Sequence, residues 1–112
     1  MTINRSPAAR PETIAAASDL RFALDDALLP FRAAQRGATI EVIYGASGKL
    51  ATQLRNGAPF DVFMSADIAF AREVQDAGLA TDVPRVYAIG RLAAWSTNAE
   101  LGLLPLAALV RD

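Results

Sequence analysis

TIEVIYGASGKLATQLRNGAPFDVFMSAD, residues 39–67, changes its hydrophobic period twice. Residues 39–44 are β-branched and aromatic, a composition that suits a strand. Small residues follow, Gly45-Ala46-Ser47-Gly48, and from Ser47 onward Leu50 and Leu54 recur at helical spacing. Asn56 and Gly57 then supply the residue types that end helices. Pro59 restarts an extended segment, and residues 60–64 are apolar apart from Asp61, as expected for a strand buried on both faces. Strand, helix and strand in succession begin an alternation that implies a parallel sheet covered on both faces.

The same alternation extends both ways. Upstream, residues 13–17 form a short run of small apolar residues, and Ser18 and Asp19 offer helix N-cap chemistry. Leu20, Ala23, Leu24, Ala27, Leu28 and Phe31 then recur at helical spacing, predicting an apolar stripe against the core, while Arg21, Asp25, Asp26 and Arg32 face water. Pro30 is expected to kink this helix or end its first segment, and Gly37 to stop it. Downstream, Ser65 and Asp67 can cap a third helix, with Phe70, Val74 and Ala77 on one side and Gly78 as its stop. Residues 85–95 are β-rich, and residues 106–110 could begin another helix after Pro105. The pattern predicts an α/β fold with a doubly wound, mainly parallel sheet. Its divisions are a poorly ordered leader over 1–11, an α/β lobe over 12–95, and a crossover segment over 96–112.

Composition narrows the functional classes. At 112 residues and 53% hydrophobic, the chain can bury one core but not two. The net charge is −1 and the eleven basic residues are spread singly, so there is no basic stripe to draw in nucleic acid. With neither cysteine nor histidine, the usual zinc sites, thiol nucleophiles and imidazole triads are excluded. No apolar run reaches the length of a membrane span, and residues 1–10 lack the apolar core of a secretory signal.

In an open parallel sheet, ligands bind beyond the carboxyl ends of the strands. Ser18, Ser47 and Ser65 each fall at such a strand-to-helix junction. Unpaired N–H groups at helix starts, together with serine hydroxyls, make an anion cradle that needs no lysine or arginine. Each serine could equally be a simple N-cap. Ser47 has the best surroundings, since small neighbours let an anion approach the backbone; Ser65 has the worst, with Asp67 nearby. A phosphate loop is excluded because Leu50 follows Gly48-Lys49 and Ile43 holds the required first glycine position. A nucleophile elbow fails at Lys49, which stands where its last glycine belongs. Catalysis is therefore not expected. Asp61 reads as a structural carboxylate that pairs with an arginine or accepts backbone hydrogen bonds, and Tyr87 and Trp95 as core or interface residues.

Three motifs carry a family resemblance: residues 15–18 (AAAS), residues 44–51 (YGASGKLA) with Gln53, and residues 57–67 (GAPFDVFMSAD). In order and spacing they resemble the molybdate-binding proteins of ABC importers. The similarity covers about residues 14–109. It implies the first lobe of a type II periplasmic binding protein fold, whose two lobes close on a tetrahedral dianion. By that resemblance Ser18 and Ser47 bind the anion through their hydroxyls, Ala17 and Gly48 supply backbone donors, and Ser65 is a further candidate. The implied ligand is molybdate or tungstate, with molybdenum present only inside the oxyanion, no direct metal ligand and no cofactor. The implied partners are an ABC permease and its ATPase; the implied location is the periplasm, without membrane insertion. The second lobe, with a tyrosine and the remaining ligands, would begin beyond Asp112, so this chain alone is expected to bind weakly. Asp19 departs from the apolar residue common at its position, and its carboxylate must turn outward to cap the first helix or oppose the anion. Other readings are a receptor for sulfate or a phosphonate, a cytoplasmic ligand-sensing domain, and a small phosphate-handling enzyme.

Overall fold

A computed structural model describes residues 1–3, 12–34, 39–91 and 97–98. Three parallel strands, β1 (Glu12–Ala17), β2 (Ile40–Gly45) and β3 (Val62–Met64), form a sheet in the order β2-β1-β3. The chain runs from the centre to one edge and then back across to the other, giving the doubly wound α/β lobe that the alternating pattern predicts. Helix α1 (Arg21–Ala34) connects β1 to β2, α2 (Ser47–Arg55) connects β2 to β3, and α3 (Ile68–Asp76) follows β3. A single 3₁₀ turn, Ser18–Leu20, lies between β1 and α1.

The two faces of the sheet are covered unequally. Ala15 faces α2 and α3, in a core with Leu50, Ala51, Leu54, Phe60, Phe63 and Val74. Ala16 pairs in register with Tyr44 and Met64 on the opposite face, where Tyr44 reaches α1. Of the stripe predicted for α1 only Leu28 is buried and Phe31 is 46% exposed; Phe22 and Leu29, off that stripe, are 84% and 63% exposed. The described elements thus cover only part of the stripe. Pro30 does not stop α1, which runs on to Ala34.

Local stop signals performed well. Gly57 (φ 90°) and Gly78 (φ 75°) adopt the left-handed conformation just after α2 and α3, where a Cβ would be strained. Asp67 caps α3 by accepting the Ala69 N–H at 2.9 Å. Ala77, however, is exposed rather than packed. β3 is shorter than expected and buried on one face only, with Phe63 inside and Val62 and Met64 half-buried.

Two expectations change for one shared reason. Residues 1–3, read as the start of a loose leader, dock on β3. Thr2 bridges Val62 and Ile3 bridges Ala80, both antiparallel, and Ile3 is only 7% exposed. The Ile3 N–H donates to Asp61 O at 2.7 Å and the Phe63 N–H to Met1 O at 2.8 Å. The edge of β3 is thereby taken, and residues 85–91, the described part of the strand expected over 85–95, form none. Without a ladder to join, Val86 and Ile89 remain exposed. Gly37, Trp95, the helix expected over 106–110 and nearly all of 96–112 lie outside the described residues.

Candidate functional site

The three strands end at one rim. Register pairs Ala17 with Gly45 and Ala16 with Met64, so Ser18, Ala46 and Ser65 each take the next step beyond neighbouring strand ends. Adjacent strands lie about 4.8 Å apart. Ser18 and Ser47 thus stand at the carboxyl ends of two adjoining strands, each opening a helical segment.

Neither serine is an N-cap, which corrects the reading of Ser18 and Asp19 as capping residues. The cap positions are held by Ala17 and Ala46, and neither has a side-chain capping bond. Alanine has no acceptor, so the first-turn N–H groups of both segments are left unclaimed by a cap. In α2 the first helical bond is made by the Leu50 N–H to Ala46 O at 3.0 Å, leaving the N–H groups of Ser47, Gly48 and Lys49 ahead of it. The third junction differs, because Asp67 already occupies the start of α3.

The serines differ in chemical state. Ser18 is exposed at the rim, whereas Ser47 is 8% exposed. Ser47 Oγ accepts the Ala66 N–H at 2.9 Å, which ties the start of α2 to the β3–α3 turn. A hydroxyl that accepts in this way still has its proton to donate. Ser65 is committed locally, donating to Asp67 O at 2.6 Å and accepting the Asp67 N–H at 3.2 Å. Among the three, its proton is the one already used.

Gly48 has a second role that the sequence reading missed. A Cβ there would meet the Phe70 ring at 3.1 Å, so the bare Cα makes room for α3 against α2. Its N–H still belongs to the uncapped first turn. Asp61 follows its structural reading, accepting the Thr13 N–H at 2.8 Å. Asp19 is exposed and makes no cap bond, so the expected outward capping role is not seen.

Tyr87, read from sequence as a core or interface residue, is 48% exposed and donates its hydroxyl to Ser65 O at 2.9 Å. Burial, followed by the negative charge of Asp19, raises the Tyr87 phenol above its ordinary value and keeps it protonated. A cavity of about 100 Å³ lies under this segment, lined by Met1, Phe63, Ser65, Ala71, Arg85 and Tyr87 among others. A shallow groove with Thr13, Glu41, Gln53 and Phe60 occupies the opposite end of the sheet. Ser18 and Ser47 line neither. Among the described residues there is no group of three acidic, histidine or cysteine side chains that could hold a metal ion. Also among them, no helix is long and apolar enough to cross a membrane.

Known proteins share these features. The chain is 40% identical over 65 residues to the molybdate-binding protein ModA of Rhodobacter capsulatus, covering 55% of this chain and 25% of that one. It is 38% identical over 80 residues to the molybdate-binding protein ModA of Mycobacterium tuberculosis, covering 71% of this chain and 31% of the relative. Among solved structures, a substrate-binding domain assigned to a molybdenum ABC transporter from Clostridium difficile superposes with a TM-score of 0.57 at 30% identity. That match covers 59% of this chain and 29% of the other. The stretches shared with these proteins thus amount to about a quarter to a third of their lengths. A profile of bacterial extracellular solute-binding proteins matches residues 13–112. With that match over nearly the whole length, the chain belongs to the bacterial extracellular solute-binding protein family, a family of binding proteins rather than enzymes.

Proposed function

We propose that the rim of this lobe binds a tetrahedral oxyanion, molybdate or tungstate, as part of the receptor of an ABC importer. Ser18 and Ser47 contribute hydroxyl donors, and the Ala17 N–H at the end of β1 and the first-turn N–H of Gly48 supply the rest. The observation that carries this reading is the pair of alanine caps at adjoining strand ends. Each gives up a stabilising cap, which leaves first-turn amide donors at two adjoining strand ends. The relatives' names supply the ligand, and neutral donors suit it. A fully deprotonated dianion accepts from every donor, while no carboxylate is needed to take a ligand proton. An ABC permease with its ATPase would be the partners, and the periplasm the location.

A lobe with half the donors holds its anion weakly, so the test must tolerate low affinity. Molybdate added to the ¹⁵N-labelled chain should move the amide signals of Ser18, Ser47 and Gly48 saturably, with sulfate weaker and chloride inert. Ser47→Ala should abolish the response. No movement of these amides at about 10 mM molybdate, where even a millimolar Kd of about −4.1 kcal/mol would register, would refute the assignment.

A further inference from the structure

The Ser65–Ala66 peptide group joins two side chains that sequence analysis kept apart. Its carbonyl oxygen accepts the Tyr87 hydroxyl at 2.9 Å, and its N–H donates to Ser47 Oγ at 2.9 Å. Both ends of a single planar unit are therefore held, one by the segment after α3 and the other by the first residue of α2. We infer that Tyr87 is a positioning residue for the rim, which fixes this peptide so that one acceptor site of Ser47 is filled and its hydroxyl is biased toward donating to a ligand.

The argument runs through orientation. A serine hydroxyl can donate once and accept twice, and left alone it rotates to suit any partner. Ser47 is 8% exposed, so little water competes for it. With the Ala66 N–H directed at its oxygen, the hydroxyl proton is turned away from Ala66. A ligand that offers only acceptors matches such a group; a protonated oxyanion, which needs an acceptor for its own O–H, matches it less well. Donation from Tyr87 to the carbonyl also polarises the peptide, making its N–H a stronger donor to Ser47. Ser65 cannot substitute, since its own hydroxyl is spent on Asp67. This inference rests on the oxyanion reading for its consequence, but its geometry can be tested in the ligand-free chain.

The experiment compares the 112-residue chain with Tyr87→Phe, Ser47→Ala and the double variant, following the Ala66 amide by ¹⁵N NMR with and without molybdate. Tyr87→Phe keeps the ring, and a retained spectrum for α2 and α3 confirms folding. In the ligand-free state its Ala66 amide proton should shift upfield and exchange faster, and its molybdate affinity should fall about three- to tenfold, the span of one net hydrogen bond. In the Ser47→Ala background, adding Tyr87→Phe should move the Ala66 amide by clearly less than it does in the wild-type chain. An unchanged Ala66 amide in Tyr87→Phe overturns the inference, as does unchanged molybdate affinity. If the wild-type chain ignores molybdate altogether, the oxyanion reading fails and the Ala66 amide alone decides the role of Tyr87. Should Tyr87→Phe unfold, Tyr87→Trp, whose ring still fills the space but whose N–H lies elsewhere, is judged by the same two signals.

Discussion

Asp61 accepts the backbone N–H of Thr13 at 2.8 Å, and its own N–H donates to the Thr13 carbonyl at 2.8 Å. The carboxylate thus extends the β1–β3 pairing just before β3 begins, satisfying a donor on a residue only 9% exposed. Asp61→Ala would leave that N–H unpaired and should destabilise the chain by about 1–3 kcal/mol in urea denaturation. Asp61→Asn, which keeps an oxygen in place, should lose clearly less.

The alanine caps make an opposite prediction. Ala46 is exposed and extended, so a capping side chain fits there. Ala46→Ser should stabilise the fold by about 0.5–2 kcal/mol. It should also weaken the molybdate-induced amide shifts, because the new hydroxyl competes for the same N–H groups. Ala46→Asp should stabilise similarly through the helix dipole and remove the response outright, since its charge repels the anion. A variant that gained stability and kept full anion response would show that these amides do not bind.

Helix α2 packs on α3 through the space left at Gly48. Gly48→Val must displace the Phe70 ring and should destabilise by about 1–3 kcal/mol as overpacking does. Phe70→Ala in the same chain should recover part of that loss, giving a non-additive double-mutant cycle.

Tyr44 offers a pH signature. Its hydroxyl donates to Asp25 Oδ1 at 2.6 Å, and the Arg21 guanidinium lies 4.9 Å from the ring centroid. Burial, then the hydrogen bond and charge of Asp25, raise its pKa to about 12, against the opposing pull of Arg21 and Arg32. An acid whose pKa is higher folded than unfolded holds its proton longer in the native state. Its stabilisation is therefore complete below 10.0 and lost as pH climbs toward about 12. Ultraviolet titration of Tyr87→Phe, which leaves Tyr44 as the only tyrosine, should show ionisation near 12, and Asp25→Asn should bring it down toward 10.0.

What could be read from the sequence was local. The ends of α2 and α3 were visible because Gly57 and Gly78 carry the stop signal themselves, and the parallel sheet followed from strict alternation. The strand-to-helix junctions are also legible, although the letters leave each serine there either a cap or an anion donor. The signal was present in the letters as alanine one residue earlier, where a capping residue belongs. Tyr87 could not be found this way, because its partner is a carbonyl 22 residues back that only the folded turn presents. Nor is the absence of the strand expected over 85–95 legible, since the edge of β3 is held by residues 1–3, a pairing that only the fold reveals. The partly covered stripe of α1 shows the same limit: periodicity names an apolar side without saying what covers it.

The docking of Met1 and Ile3 works as a clasp. Met1 donates from its amine to the carbonyl of Phe63, 62 positions away, and Ile3 bridges Ala80. Unfastening residues 1–3 would bare the backbone of Val62 and Phe63, and an exposed strand edge of that kind is a template for pairing with another extended chain.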